Sequence, residues 1–211
     1  MMQNRKGKLI VFEGIDGSGK STQIKNIAHQ LEHDGFKVIT TAEPTTNPIG
    51  KTIRQIFSGK LEGDQHVIAA LFAADRLDHI FHSEYGMLHL LDKGYIILCD
   101  RYYLSSLAYH SVHVPYKWVL QLNTVAMQTL KPDMHIFIDI SPDESMQRIH
   151  HRNDQKELYE TLENLQAVYH LYQHIVVDFK DTENIVVVDG TASKESVFDT
   201  ILNHIKSIIS S

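Results

Sequence analysis

"LIVFEGIDGSGKSTQ", residues 9–23, carries an unbroken apolar run directly into a glycine-rich loop, a lysine and two hydroxyl residues. Gly14, Gly19, Lys20 and Ser21 satisfy G-x-x-x-x-G-K-[ST], a pattern that has meaning only when a strand leads into it and a helix leaves it. Both conditions hold. Leu9 to Phe12 are continuously apolar, and Ile24, Ile27, Ala28 and Leu31 recur at helical spacing. Glycines let backbone N–H groups turn inward on phosphate oxygens, and the following helix aims its positive end at the same anion. The stretch Gly14, Ile15, Asp16, Gly17, Ser18, Gly19, Lys20, Ser21 and Thr22 therefore reads as a cradle for a nucleoside triphosphate. Lys20 would reach the β- and γ-phosphates, and the Ser21 hydroxyl would ligate magnesium.

Outward from this loop, strand-like runs recur at 8–12, 37–41, 95–99, 134–140 and 184–189, each nearly all apolar. Such runs describe strands covered on both faces. Helical patterns separate them, including a long one over 160–180 and a C-terminal one through Val197, Ile201, Leu202, Ile205 and Ile209. The alternation predicts parallel crossovers and a three-layer α/β sandwich. A chain of 211 residues supports one well-buried core and reads as one domain. Its net charge of −6 argues against coating nucleic acid or a membrane surface. One cysteine, Cys99, gives no internal disulfide, and no leader or membrane span is evident, so a soluble cytoplasmic protein is expected.

Two further stretches carry chemistry. No N-K-x-D or L-S-G-G-Q string occurs, which sets aside regulatory GTPases and transporter ATPases. In "YIILCDRYYLSSLAYH" Asp100 stands at a strand's C-terminal end, where an open α/β sheet places its ligand crevice. An acid there can hold magnesium, and Arg101 beside it suits a phosphoryl group. In "LFAADRLDHI" Phe72 and Arg76 lie four apart on one helix face, a ring to stack on a base beside a guanidinium to donate to its carbonyl. Taken singly, a phenylalanine at this spacing is ordinarily core and a lone arginine ordinarily surface.

Together, "FEGIDGSGKST", "EPTTNPIGKTIR", "LFAADR", "DRYYLSSLAY" and "QKELYE" resemble, in order and over nearly the whole length, the thymidylate kinase family. The resemblance implies a five-stranded parallel sheet flanked by helices, transfer of the γ-phosphoryl of MgATP to dTMP, and a homodimer. It implies that Asp16 lies near the sugar 3′-hydroxyl and the metal, and that Glu43-Pro44 stand at the mouth of the acceptor site. It implies that Arg54 grips the acceptor phosphate, Phe72 and Arg76 meet thymine, Arg101 bridges the two phosphates, and Tyr109 disfavours ribonucleotides. Ser105 and Ser106 fall in the same site, Ser106 where relatives contact the base N3 edge. A lid over 148–160 would supply a catalytic arginine, Arg148 or Arg152, because Gly17 stands where eukaryotic members carry one.

The chain departs from the bacterial pattern at "AEPTT", where Ala42 replaces an arginine and the loop must turn without two glycines. A kinase of another deoxynucleotide or of a deoxynucleoside, with Glu43 as the only evident base, and a non-catalytic relative are the alternatives. The histidines at 79, 82, 89, 150 and 151 lack metal-ligand spacing and read as surface positions.

Overall fold

The computed structural model describes residues 5–151 and 161–209. In chain order these form β1 (Lys8–Glu13), α1 (Lys20–His33), β2 (Val38–Ala42), α2 (Pro48–Phe57), α3 (Gln65–Phe81), α4 (Met87–Asp92) and β3 (Ile96–Asp100). Then follow α5 (Tyr103–His110), α6 (Tyr116–Thr129), β4 (Met134–Asp139), α7 (Pro142–His151), α8 (Leu162–Phe179), β5 (Ile185–Asp189) and α9 (Lys194–Ile209). The strands make one sheet of order β2-β3-β1-β4-β5, parallel throughout. The five apolar runs thus land where the sequence places strands, within a residue or so at each end.

Period-two alternation sorts each strand between two cores. Leu9, Val11, Ile97, Cys99 and Phe137 face α5, α6 and α8, whose Leu107, Val119 and Leu165 are fully buried. Ile10, Phe12, Leu98, Ile136 and Ile138 face α1 and α9 through Ile27, Leu31, Ile201 and Ile205. Covering on both faces is why the central strands read as continuous apolar runs. Asp64, just before α3, caps the helix: its carboxylate accepts a hydrogen bond from the His66 N–H at 2.8 Å. The long helix expected over 160–180 begins at Leu162, where the Thr161 hydroxyl caps it by accepting from the Asn164 N–H.

Strand order places the site. From β1 the chain crosses to β2 on one side, and from β3 it crosses to β4 on the other, so the order reverses beside β1. A crevice opens at the C-terminal ends of β1 and β3, where Phe12 pairs with Asp100. The glycine-rich loop and Arg101 both emerge there.

Candidate active site

The loop after β1 turns through left-handed backbone at Gly14, Gly17 and Gly19, with φ of 141°, 75° and 98°. Gly19 is also the N-cap of α1, so Lys20 opens that helix. Its ammonium is buried and donates to the carbonyls of Gly14 and Ile15, each at 3.0 Å. Burial, and then the Arg101 charge, lower the Lys20 pKa to about 8 against the pull of Asp100, Asp16 and Glu13.

Arg101 is the non-glycine residue with positive φ, 71°, among the described residues. Its N–H donates to the Phe12 carbonyl, and the turn brings its side chain back over the end of β1. The guanidinium donates to Asp16 at 2.5 Å, to the Tyr109 hydroxyl at 3.0 Å and to the Gly14 carbonyl at 3.2 Å. Tyr109 in turn donates to Asp16 at 2.8 Å, its ring 4.5 Å from the Arg101 carbon. Burial pushes the Asp16 carboxyl up, but Arg101, Lys20 and these hydrogen bonds outweigh it and leave the carboxyl below its ordinary value. Behind this set Ser105 donates to the buried Glu13 carboxylate, and Tyr172 reaches the same oxygen. Sequence reading missed Glu13 and Tyr172, which brace Arg101 through Ser105.

The Ser21 hydroxyl donates to Asp100 at 2.9 Å, and the other Asp100 oxygen is buried with no hydrogen-bond partner among the described residues. A hydroxyl and an under-used carboxylate beside a phosphate cradle fit magnesium, which takes one or two protein ligands and completes its shell with phosphates and water.

On α3, Phe72, Asp75, Arg76 and His79 share one face and are all buried. Arg76, far from being a surface residue, is 1% exposed. Its guanidinium donates to Ser106 at 3.0 Å and to Asn123, and pairs with Glu43 at 2.5 Å. Phe72 lies against His110, ring centroids 4.8 Å apart, and against Phe57. Burial first, then the Arg76 charge, lower the His110 pKa to about 3, so a neutral ring lines this end of the site.

Two expectations need correction. Glu43 does not stand at a mouth: it is 3% exposed, with its carboxylate turned inward to Arg76 and His79. The cause is a partner 33 positions along the chain that no local pattern encodes. His79 is likewise not a surface residue but is 4% exposed between Glu43 and Thr41. The "AEPTT" loop turns without glycines because Asp75 accepts both the Thr45 N–H and hydroxyl, at 2.7 and 2.6 Å. Asp75, His79 and Asn123 were not predicted. The first two could have been found from the spacing 72, 75, 76, 79 on one helix.

Arg54 is exposed and donates to the Pro44 carbonyl. Arg148 bonds Glu144 and the Gly190 carbonyl, and none of these bonds reaches the glycine-rich loop. Its helix does touch the loop, since the buried Ser145 hydroxyl donates to the Asp16 carbonyl at 2.5 Å. Arg152 and most of the expected lid over 148–160 lie outside the described residues.

A glycine-rich loop leading from β1 into α1, with Lys20 opening the helix and Arg101 beside it at the C-terminal ends of a five-stranded parallel sheet, is the arrangement of a P-loop nucleoside-monophosphate kinase. Comparison with known sequences narrows the class. A profile of the family "Thymidylate kinase" matches residues 12–201. The thymidylate kinase of Caldicellulosiruptor saccharolyticus is 35% identical, over 97% of this chain and 98% of its own. A probable thymidylate kinase of Pyrococcus horikoshii is 35% identical over 95% and 97%, and the thymidylate kinase of Desulfotalea psychrophila is 32% identical over 99% and 98%. The chain belongs to the thymidylate kinase family.

Proposed function

We infer from family and site together that this chain transfers the γ-phosphoryl group of ATP to dTMP, giving dTDP. The observation that carries the acceptor is Arg76 beside Ser106 and Phe72: a buried guanidinium and hydroxyl at the edge of an aromatic face. A thymine offers a carbonyl to the arginine and an N–H to the serine, whereas cytosine presents an amine where the guanidinium needs an acceptor. Glu43 is committed to Arg76 and His79, so it does not serve as the base that a nucleoside 5′-hydroxyl would require.

In this reading the acceptor needs no general base, since a phosphate monoester has a second pKa of about 6. The residues position two anions and neutralise the moving group. Residues Gly14 to Thr22 hold the triphosphate, with Lys20 released from the Gly14 and Ile15 carbonyls onto the β- and γ-phosphates. Arg101 exchanges its Asp16 and Tyr109 bonds for phosphate oxygens, and Arg54 exchanges the Pro44 carbonyl for the acceptor phosphate. Asp16 and Tyr109 lie at the sugar. Ser21 and Asp100 would hold Mg²⁺, which supplies charge neutralisation between the phosphates. Arg148, by leaving Glu144, or Arg152 supplies the remaining charge. A homodimer is supported by Val67 and Phe81 on α3 and Val125 on α6, each about half exposed. ATP dependence and a buried free Cys99 support a cytoplasmic location, and no described helix is long and apolar enough to cross a membrane.

ADP release measured against a panel of nucleoside monophosphates and deoxynucleosides tests the assignment. The expected result is highest kcat/KM for dTMP, with dCMP and deoxynucleosides far behind. A higher kcat/KM for dCMP or thymidine overturns it.

A further inference from the structure

The thymine-reading guanidinium is the inner end of a line of polar contacts that runs outward through the protein. Arg76 Nη2 pairs with Glu43 Oε2 at 2.5 Å, Glu43 Oε1 meets His79 Nδ1 at 3.1 Å, and His79 Nε2 meets Thr41 Oγ1 at 2.8 Å. Side-chain exposures along it are 1% for Arg76, 1% for Glu43 and 6% for His79. We propose that His79 is a positioning residue for base recognition, one that holds the Glu43 carboxylate so that Arg76 stays aimed at the base. The proposal rests on the dTMP reading of the site and adds to it a residue that touches no substrate.

The argument is one of competing geometries. An arginine and a carboxylate prefer a bidentate pairing in which both oxygens face the fork. Here Glu43 gives Arg76 one oxygen and His79 the other, so the second arm of the fork, Nη1, remains on Ser106 and Asn123. Ser106 lies at the base-reading edge, so the arm that reads the base is the one whose direction Glu43, held by His79, sets through Nη2. Without the imidazole, Glu43 Oε1 is buried with no partner, an arrangement that costs free energy. Arg76 Nε is buried with no hydrogen-bond partner among the described residues, so the freed carboxylate rotates onto Nη2 and Nε together, which relieves that cost and turns the guanidinium so that Nη1 shifts from Ser106. Thr41 fixes the ring from its other edge, its hydroxyl donating to Nε2 when Nδ1 carries the hydrogen.

The surroundings of His79 make the test feasible. The ring lines a cavity of about 370 Å³ together with Thr41, Pro44, Arg54, Tyr85 and Met87. A molecule the size of imidazole fits such a space.

Steady-state kinetics of His79→Ala and His79→Asn, with dTMP and dCMP as acceptors, decide the matter. One hydrogen bond to a charged group is worth about tenfold or more. His79→Ala is therefore expected to raise KM for dTMP about tenfold and to narrow the dTMP/dCMP preference, with KM for ATP unchanged and kcat within about twofold. His79→Asn, whose amide can donate to Glu43 in place of Nδ1, should recover most of the preference, as should millimolar imidazole added to His79→Ala. If the alanine variant fails to fold, the asparagine variant and a third, His79→Leu, carry the comparison: Leu should lose the preference and Asn keep it. Equal dTMP/dCMP ratios in wild type, Asn and Leu variants overturn the role of His79, provided wild type prefers dTMP. A wild type without that preference instead overturns the dTMP reading.

Discussion

Lys20 meets two demands that pull its charge in opposite directions. It sits in a buried loop beside Arg101, which favours the neutral amine, and on the proposed mechanism it then faces a triphosphate, which favours the ammonium. Its pKa of about 8 reflects the first demand alone. Nucleotide binding should therefore draw a proton from solvent. At pH 8 the uptake is expected to approach half a proton per site, from a group half ionised at its pKa, and to vanish in Lys20→Met. Calorimetry of ATP binding in two buffers of different ionisation enthalpy measures it directly. Identical proton uptake in wild type and Lys20→Met would show that this lysine does not change its protonation when the loop fills. At this scale the sequence is informative where a residue's role is set by its neighbours in the chain, as for Gly14 to Ser21. It is silent where the role is set by a distant partner. Arg76 is the example: nothing near it announces Glu43, Ser106 or Asn123, and without them a buried arginine has no reason to exist.

Elements tell a different story, because here spacing encodes a face. The five strands are legible from their apolar runs, since a sheet covered on both sides leaves no polar alternation to confuse the reading. The α3 stripe of Phe72, Asp75, Arg76 and His79 is equally legible, since its spacing marks one helix face even though it is no metal-ligand spacing. The loop before α2 was legible only as a departure from pattern. Its solution is a packing one: Thr45 is clamped on Asp75, and α2 lies so close that a Cβ on Gly50 would stand 2.0 Å from the Thr45 carbonyl oxygen. Both partners are backbone, so neither can swing aside. Gly50→Ala should destabilise the protein by roughly 1–3 kcal/mol, the range for overpacking. It should also raise KM for dTMP while leaving KM for ATP near wild type, because the displaced loop carries Glu43 and Pro44. Thermal unfolding and initial rates together check this; an unchanged Tm would mean that the loop has slack the packing denies.

For the molecule as a whole, the site's demands appear as a cost in acid. His110 is buried against Phe72, its pKa lowered to about 3 from 6.5, and its Nδ1 has no hydrogen-bond partner among the described residues. The neutral ring favours the fold above the unfolded value of 6.5, and that contribution is lost progressively as pH falls toward 3, because the unfolded chain takes up the proton first. Between pH 6.5 and 5 the loss is about 2 kcal/mol at 1.36 kcal/mol per unit. Urea unfolding of His110→Phe at pH 7 and pH 5 should therefore show a smaller drop in stability than wild type by about that amount. Parallel drops would exclude His110 as a source of acid sensitivity. Fold and crevice follow from patterns readable along the chain. The buried polar web joining α3, the "AEPTT" loop, α5 and α6 does not, since its members find one another only after the sheet has brought their helices together.

The seat of α7 on the glycine-rich loop has a consequence for how such enzymes can diverge. A Cβ on Gly17 would lie 2.9 Å from the Ser145 carbonyl oxygen, on a backbone with φ of 75°. An arginine inside the loop and a helix resting on it thus compete for the same few ångströms. On the proposed assignment of the missing charge to the lid, an arginine at position 17 could take over that task only after the helix had been lifted and Ser145 given another partner.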